Sequence, residues 1–128
     1  MRLLLDTHIF LWWVTGDKAL SKKARAAIAD SGNECFFSVA SAWELAIKHS
    51  LGKLELSGSL ERFLPEQLAL NQFQLLPIEL SHSLRVASLP WHHRDPFDRL
   101  LIAQCQVENL TLVSADKQLA GYGVALIR

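Results

Sequence analysis

The stretch RLLLDTHIF, residues 2–10, runs from three consecutive leucines directly into the carboxylate of Asp6. An unbroken apolar run of this kind, without alternating polar residues, is typical of a strand that is buried on both faces of a parallel sheet. The residues after Asp6 become apolar again and predict a short helix or turn. A carboxylate at the end of a buried strand needs an explanation, because an unpaired buried charge is strongly unfavourable.

Along the rest of the chain, apolar runs alternate with helical patterns. This alternation predicts an α/β fold with three layers, α/β/α, around a central, mostly parallel sheet of about five strands. The predicted strands are residues 2–5, 34–40, 74–78, 111–115 and 124–127. The predicted helices are residues 20–31, 41–54, 80–90 and 95–110, and Pro65 divides a helical stretch at 60–73 into two short helices. Pro77 favours a place for the third strand at or near an edge of the sheet.

Length and composition limit the class of protein. Half of the 128 residues are hydrophobic, and no repeat, linker or low-complexity tract divides them, so a single domain over residues 1–128 is expected. Thirteen Lys and Arg residues balance thirteen Asp and Glu residues. The chain as a whole therefore exerts no long-range attraction on nucleic acid or membrane, and an anionic partner must be held by local contacts.

The cysteines and the N-terminal residues favour a soluble cytoplasmic protein. Cys35 and Cys105 are far apart in sequence and form neither a metal-binding nor a redox motif, as expected in a reducing compartment. The apolar run after Arg2 ends at Asp6, too soon for a signal peptide. The chain contains no run of about 18 apolar residues, so no membrane span is predicted.

Two of the strands predicted to be fully buried end in an aspartate. Asp6 follows LLL directly, and Asp116 follows TLVSA. Ligands of open parallel sheets bind beyond the carboxyl ends of the strands, where both residues are expected. Thr7 and Ser114 supply a hydroxyl near each acid. Taken singly, either aspartate could equally be the N-cap of a following helix.

The segment DPFDR, residues 95–99, supplies a third acid. Pro96 suits the first position of a helix and Asp95 suits its N-cap, which places Asp98 at the third helical position. Asp98 shares its helical face with an apolar stripe formed by Leu101, Ile102 and Cys105. A helix that connects parallel strands runs antiparallel to them, so its first turn lies at the carboxyl edge of the sheet. Asp98 is the preferred third acid, and Asp95 stays an alternative.

Glu44, in the segment SAWELAIK, is a fourth candidate acid. It could form a solvent-exposed pair with Lys48 one turn later. It also shares a helical face with the apolar residues Ala40, Ile47 and Leu51. This helix follows a predicted strand and therefore also begins at the carboxyl edge, but spacing alone leaves both alternatives open.

Four acids at one edge of a sheet would repel one another. Two unit charges about 4 Å apart repel by about 4 kcal/mol at an effective dielectric constant of about 20. A divalent cation would relieve this repulsion, and an all-oxygen ligand set favours Mg²⁺ or Mn²⁺ over zinc. The five histidines agree with this choice, since they form no HxxxH pair and have no Cys partner at zinc-like spacing. Candidate substrate-binding cations lie near the acids in sequence: Arg94, Arg99 and Lys117.

Four segments of the chain together resemble the PIN domain, and in particular the VapC-type toxins of bacterial and archaeal toxin–antitoxin pairs. They are LLLDTHIFLW, SVASAWELAIK, DPFDRLLIAQC and LVSADKQLAGYG, in the family's order over essentially the whole chain. The resemblance implies a magnesium- or manganese-dependent endoribonuclease built on a parallel sheet between helices. It implies four metal-binding and catalytic acids, which are Asp6, Glu44, Asp98 and Asp116. Thr7 and Ser114 match the hydroxyl positions beside the first and the last of them.

The resemblance also implies partners. VapC-type toxins form homodimers and bind a small antitoxin whose tail blocks the acidic cleft. RNA is the implied substrate, and its unpaired loops are the expected target because they expose their bases. The adjacent residues Trp12 and Trp13 cannot both point into one core, so they could form an interface as well as pack inside.

Two alternatives belong to other functional classes. A phosphatase with Asp6 as its nucleophile would be expected to carry a second Asp two residues later, where this chain has His8. A non-catalytic, PIN-like binding module would use the acids only to bind metal or to cap helices. The intact acidic motifs favour the nuclease.

Overall fold

A parallel sheet of five strands forms the centre of the computed structural model, which describes all 128 residues. The strands are β1 (Arg2–Leu5), β2 (Glu34–Ser38), β3 (Gln74–Leu76), β4 (Thr111–Val113) and β5 (Leu126–Ile127). Their spatial order is β3-β2-β1-β4-β5. The edge position expected for the third strand is therefore confirmed, and the sheet is fully rather than mostly parallel.

Helices cover both faces of the sheet. They are α1 (Thr7–Thr15), α2 (Lys22–Ala29), α3 (Val39–Ser50), α4 (Leu60–Leu70), α5 (Leu80–Val86) and α6 (Pro96–Glu108). A 3₁₀ helix spans Lys117–Tyr122 and precedes β5. None of these helices combines the length and the apolar character that a membrane span needs.

The three leucines of β1 explain the three layers. Leu3 and Leu5 are fully buried in one core, which also contains Phe10 and Phe37. Leu4 is fully buried in a second core on the other face, together with apolar residues of α6 and of the 3₁₀ helix. Successive strand side chains point to opposite faces, so one unbroken apolar run fills both cores. The three-layer α/β/α fold predicted from the sequence is confirmed.

The strands are shorter than predicted. Each of the four predicted strands after the first is two residues longer than the strand observed. The second ends at Ser38 because the hydroxyl of this residue accepts a hydrogen bond from the N–H of Ala40 at 3.0 Å and caps α3. The same hydroxyl donates to Gln104 Oε1 at 2.6 Å. Helix α3 therefore begins at Val39, and the prediction that residues 39–40 continue the strand is wrong.

The predicted division of residues 60–73 at Pro65 is also wrong. A single helix, α4, runs through Pro65. The proline lies on the exposed side of this helix, where water can bind the carbonyl group that the missing N–H leaves without a partner. The two adjacent tryptophans considered for an interface are both partly buried against the first core. Trp13 also donates from Nε1 to Asn71 Oδ1 at 2.9 Å.

The register of the central strands defines the carboxyl edge of the sheet. β1 is paired with β2 and β4 up to Leu5, and the N–H of Asp6 still donates to the carbonyl group of Val113 at 3.1 Å. Asp6, Ser38 and Ser114 therefore lie level with one another. Helices α1 and α3 start directly at this edge, and so polar groups from distant parts of the chain come together there.

Candidate functional site

Asp6 joins β1 to α1 at the carboxyl edge. Its Oδ1 accepts a hydrogen bond from the N–H of Ile9 at 2.8 Å, so it is the N-cap of α1. The residue is only 7% exposed. Burial raises the pKa of this carboxyl above its ordinary value, although the Ser114 hydroxyl and the Ile9 N–H partly oppose the increase. The capping role predicted as an alternative is present, and it fixes the orientation of the carboxylate at the edge.

The negative charge of Glu44 lies close enough to Asp6 to contribute to the increase in the pKa of the Asp6 carboxyl. Thr7 Oγ1 donates to Glu44 Oε1 at 2.6 Å, and Lys48 Nζ lies 3.1 Å from Oε2. The Glu44 side chain is only 12% exposed. Glu44 therefore pairs with Lys48, as one alternative predicted, but its side chain is mostly buried rather than solvent-exposed, and its charge acts on Asp6.

The start of α6 brings a third acid to the edge. Asp95 Oδ1 accepts from the N–H groups of Phe97 and Asp98 at 2.8 and 3.1 Å, so the predicted N-cap is confirmed. Asp98 follows in the first turn, as predicted. Burial, helped by the charges of Asp95 and Asp6 and opposed by His93, raises the pKa of Asp98 to about 6. Asp98 thus interacts electrostatically with the acid that follows β1.

Asp116 reaches the same edge from β4. Its Oδ1 accepts from the N–H of Gln118 at 2.9 Å and caps the 3₁₀ helix, and its own N–H donates to Ser114 Oγ at 3.1 Å. Ser114 is fully buried, whereas the Asp116 side chain is partly exposed. The Ser114 hydroxyl is therefore hydrogen-bonded to both the Asp6 carboxylate and the N–H of Asp116.

His93 completes the group of side chains and was not predicted as a site residue. Its Nε2 lies 2.8 Å from Asp98 Oδ2 and 3.5 Å from Asp116 Oδ2. Potential ligand atoms of these three residues all lie within 4.8 Å of one another. Burial lowers the pKa of His93, but its hydrogen bond to Asp98 and the surrounding negative charges outweigh burial, so the pKa is raised. The one feature of the sequence that could have indicated His93 is its position on the loop that leads into α6.

Arg99 occupies a different position from the one expected. Its side chain is buried, and its guanidinium donates to the carbonyl groups of Pro90 at 2.8 Å and of Val86 and Leu89 at 3.3 Å. The ring of Trp91 lies 3.9 Å from the guanidinium carbon. Helix α5 ends at Val86 rather than at the predicted residue 90, and the chain continues in tight turns up to Pro90, which has no N–H to extend the helix. We therefore correct the prediction for Arg99, because its donors are used inside the protein and not on a substrate.

The two other predicted substrate contacts, Arg94 and Lys117, are exposed beside the acids. A groove of about 380 Å³ opens there. Its lining residues are Trp91, His92, His93, Arg94, Asp95 and Gln118. This groove joins an exposed aromatic ring, an exposed cation and the histidine of the acidic group in one continuous surface.

Comparison with known proteins gives a family and a set of similar structures. The family model described as PIN domain matches residues 3–124. No curated protein matches the chain.

Three solved structures illustrate the likeness in fold. VapBC2 from Rickettsia felis, bound to a DNA fragment from its promoter, is 15% identical with a TM-score of 0.69 and covers 99% of this chain and 98% of that chain. FitAcB from Neisseria gonorrhoeae is 19% identical with a TM-score of 0.67, covering 98% and 96%. VapBC-1 from nontypeable Haemophilus influenzae is 14% identical with a TM-score of 0.67, covering 99% and 97%. Because the sequence identities are below 25%, these structures show a shared fold and nothing further.

Proposed function

The chain belongs to the PIN-domain family, and from this premise we propose that it is a single-domain, metal-dependent endoribonuclease, the toxin of a toxin–antitoxin pair. The observation that supports the proposal most strongly is the convergence of acids from separate segments at one edge of the sheet. The proposed catalytic and metal-binding residues are Asp6, Glu44, Asp98 and Asp116. The proposed supporting residues are Thr7, Ser114 and Asp95.

The donor set fits a hard divalent cation. Asp6 is almost completely buried and forms no ion pair with a lysine or arginine, and His93 is the single basic partner of Asp98 and Asp116. Buried carboxylates without a cationic partner are strongly unfavourable unless a metal ion or protons neutralise them. Carboxylate oxygens are the ligands that Mg²⁺ and Mn²⁺ prefer. When bound, such an ion would lower the pKa of a coordinated water and stabilise negative charge on a phosphate.

The protein's own groups would keep these carboxylates in place. The N–H of Ile9 holds one oxygen of Asp6, and the N–H of Gln118 holds one oxygen of Asp116. Thr7 and Lys48 each hold one oxygen of Glu44. Such fixed orientation favours catalysis, because a preorganised charged group needs little rearrangement when the substrate reacts.

Single-stranded RNA is the proposed substrate. In phosphodiester hydrolysis, water adds to phosphorus, the bond to one ribose oxygen breaks, and that oxygen takes up a proton. Since the chain has no net charge, the phosphates would be held locally, by Arg94 and Lys117 at the mouth of the site. Trp91 is 77% exposed in the adjoining groove and offers an aromatic ring on which an unpaired base could stack.

A small antitoxin and a second copy of the chain are the proposed protein partners. The support comes from the family and from the fold shared with proteins described as toxin–antitoxin complexes, one of them from Klebsiella pneumoniae. An antitoxin that covers the acidic edge would exclude RNA from it. We also propose that the protein acts in the cytoplasm, where its RNA substrate is found.

The test of the proposed function is cleavage of a labelled single-stranded RNA by the purified chain. We expect the wild type to cleave the RNA in the presence of Mg²⁺ or Mn²⁺ but not in EDTA. We expect Asp6→Asn not to cleave it in the presence of either metal ion. Glu66→Gln is the matched control, because it removes an exposed carboxylate on α4, and it should cleave like the wild type.

Two other outcomes would replace the proposal. Release of phosphate from a phosphomonoester, lost in Asp6→Asn, would indicate the phosphatase. RNA binding without cleavage under all metal conditions would indicate the non-catalytic module.

A further inference from the structure

We propose that His93 is a nitrogen ligand of the metal ion, and that the site therefore binds a divalent first-row transition ion, such as Mn²⁺, in preference to Mg²⁺. This inference rests on the proposed function, because it concerns the same acidic site. It adds one residue to the proposed ligands and makes a choice between the two candidate ions.

The first argument is the spacing of the potential ligand atoms. Neighbouring ligands of an octahedral ion with bonds of about 2.1 Å lie about 3 Å apart. His93 Nε2 lies 2.8 Å from one oxygen of Asp98 and 3.5 Å from one oxygen of Asp116. Two of the three spacings are thus close to that of adjacent ligands of one ion, which would replace the proton shared by His93 Nε2 and Asp98 in the metal-free protein. A histidine that only balanced the charge of one carboxylate would not need to approach two carboxylates from separate segments.

The second argument is the construction of the loop that carries His93. The buried guanidinium of Arg99 donates to carbonyl groups along this loop, including that of Pro90 at 2.8 Å, and lies at 3.5 Å from the carbonyl oxygen of His93 itself. Hydrogen bonds from a buried charge favour a single loop conformation. Because Arg99 follows Asp98 directly in α6, the histidine and this carboxylate are held by the same rigid element.

The neighbouring histidine shows that the orientation of His93 is specific. The ring of His92 packs edge to face against Tyr122, with ring centres 5.1 Å apart, and lies against Gly121. It forms neither a hydrogen bond nor an ion pair with the acids. Of two adjacent histidines on one loop, one therefore faces the carboxylates and the other packs against an aromatic ring.

The consequence for metal choice follows from ligand chemistry. Mg²⁺ demands oxygen ligands and retains several waters, whereas imidazole nitrogen is a good ligand for transition ions. A mixed set of one nitrogen and several carboxylate oxygens therefore favours a first-row transition ion over Mg²⁺, and Mn²⁺ is the transition ion whose preference for carboxylate oxygens also fits the rest of the set. The carboxylates alone would accept either ion.

The test is pulsed electron paramagnetic resonance of Mn²⁺ bound to the purified chain, which detects a directly coordinated ¹⁴N nucleus. We expect ¹⁴N coupling in the wild type and in His92→Gln, and no such coupling in His93→Gln. Mn²⁺ binding by His93→Gln should weaken by about tenfold or more, whereas Mg²⁺ binding, measured by competition, should change by less than about threefold. His92→Gln is the matched control for loss of a loop histidine.

The absence of ¹⁴N coupling in the wild type, or its full retention in His93→Gln, would overturn the assignment. If coupling is absent while RNA is cleaved by the wild type and not by Asp6→Asn, the role of His93 is wrong and the proposed function stands. If coupling is present while no RNA is cleaved, the proposed function fails and the ligand assignment stands.

Discussion

Replacing Asp98 by asparagine should stabilise the metal-free protein at alkaline pH. Burial raises the pKa of Asp98 from the ordinary value of 3.8 to about 6. Each pKa unit corresponds to about 1.4 kcal/mol, so ionisation of Asp98 destabilises the folded state by about 3 kcal/mol relative to the unfolded chain. Because the side chain is 23% exposed, this value is an upper bound for the gain in Asp98→Asn.

The sign of the pH dependence follows from the same values. Between about pH 4 and pH 6 the folded state retains the Asp98 proton more readily than the unfolded chain does, so the stability of the wild type falls as the pH rises through this range. The advantage of Asp98→Asn should therefore decrease from about 3 kcal/mol at pH 8.5 to about 1 kcal/mol at pH 4.5. His93 also has a raised pKa, and its stabilising charge is lost as the pH rises above 6.5, which is why pH 8.5 is the better alkaline condition.

The assay is urea unfolding in EDTA, followed by the fluorescence of the four tryptophans. Glu66→Gln, which alters an exposed carboxylate, should differ from the wild type by less than about 0.5 kcal/mol at both pH values. Excess Mn²⁺ at about 100 times its Kd should stabilise the wild type by about 2.7 kcal/mol and Asp98→Asn by much less. A variant that is less stable than the wild type in EDTA at pH 8.5, or a difference independent of pH, would refute the reasoning.

Three further predictions concern the contacts around the acids. Thr7→Val removes the hydroxyl that donates to Glu44, and it should lower stability by about 1 kcal/mol and slow RNA cleavage; an unchanged cleavage rate would contradict a positioning role for this contact. Arg99→Ala leaves several carbonyl groups of the loop without a donor, so it should reduce the free energy of unfolding by about 3 kcal/mol and accelerate tryptic cleavage after Arg94. Resistance to trypsin equal to that of the wild type would count against the loop contacts. Trp91→Ala should raise the KM for single-stranded RNA by about tenfold with little change in kcat, as expected for loss of one stacked base, and an equal KM would exclude stacking at this position.

The fold and the location of the acids could be predicted because their signals are local. The apolar run before Asp6 must be buried on both faces, and this requirement fixes a covered parallel sheet whose strands end at a common edge. The cap formed by Asp95 has an equally local signal, since Pro96 follows it directly. Both signals lie within a few residues of the acids that they locate.

The positions of the Arg99 and His93 side chains could not be predicted, because both depend on contacts made only in the folded chain. Helix α6 is buried on almost every side, including at Arg99, Leu101 and Gln104, whereas helical periodicity predicts a single buried face. A buried arginine bound to carbonyl groups has no sequence pattern, so its charge suggested a substrate contact. His93 lacks a metal-binding spacing because its partners, Asp98 and Asp116, come from separate segments.

The most direct test of the shared site is the location of Mn²⁺ by anomalous X-ray scattering in crystals of the protein. We predict a peak at the carboxyl edge of the sheet, within about 2.6 Å of carboxylate oxygens from Asp98 and Asp116 and beside Asp6. A peak bound by other residues, or no ordered ion at saturating Mn²⁺, would contradict the proposal that these acids hold a common metal ion.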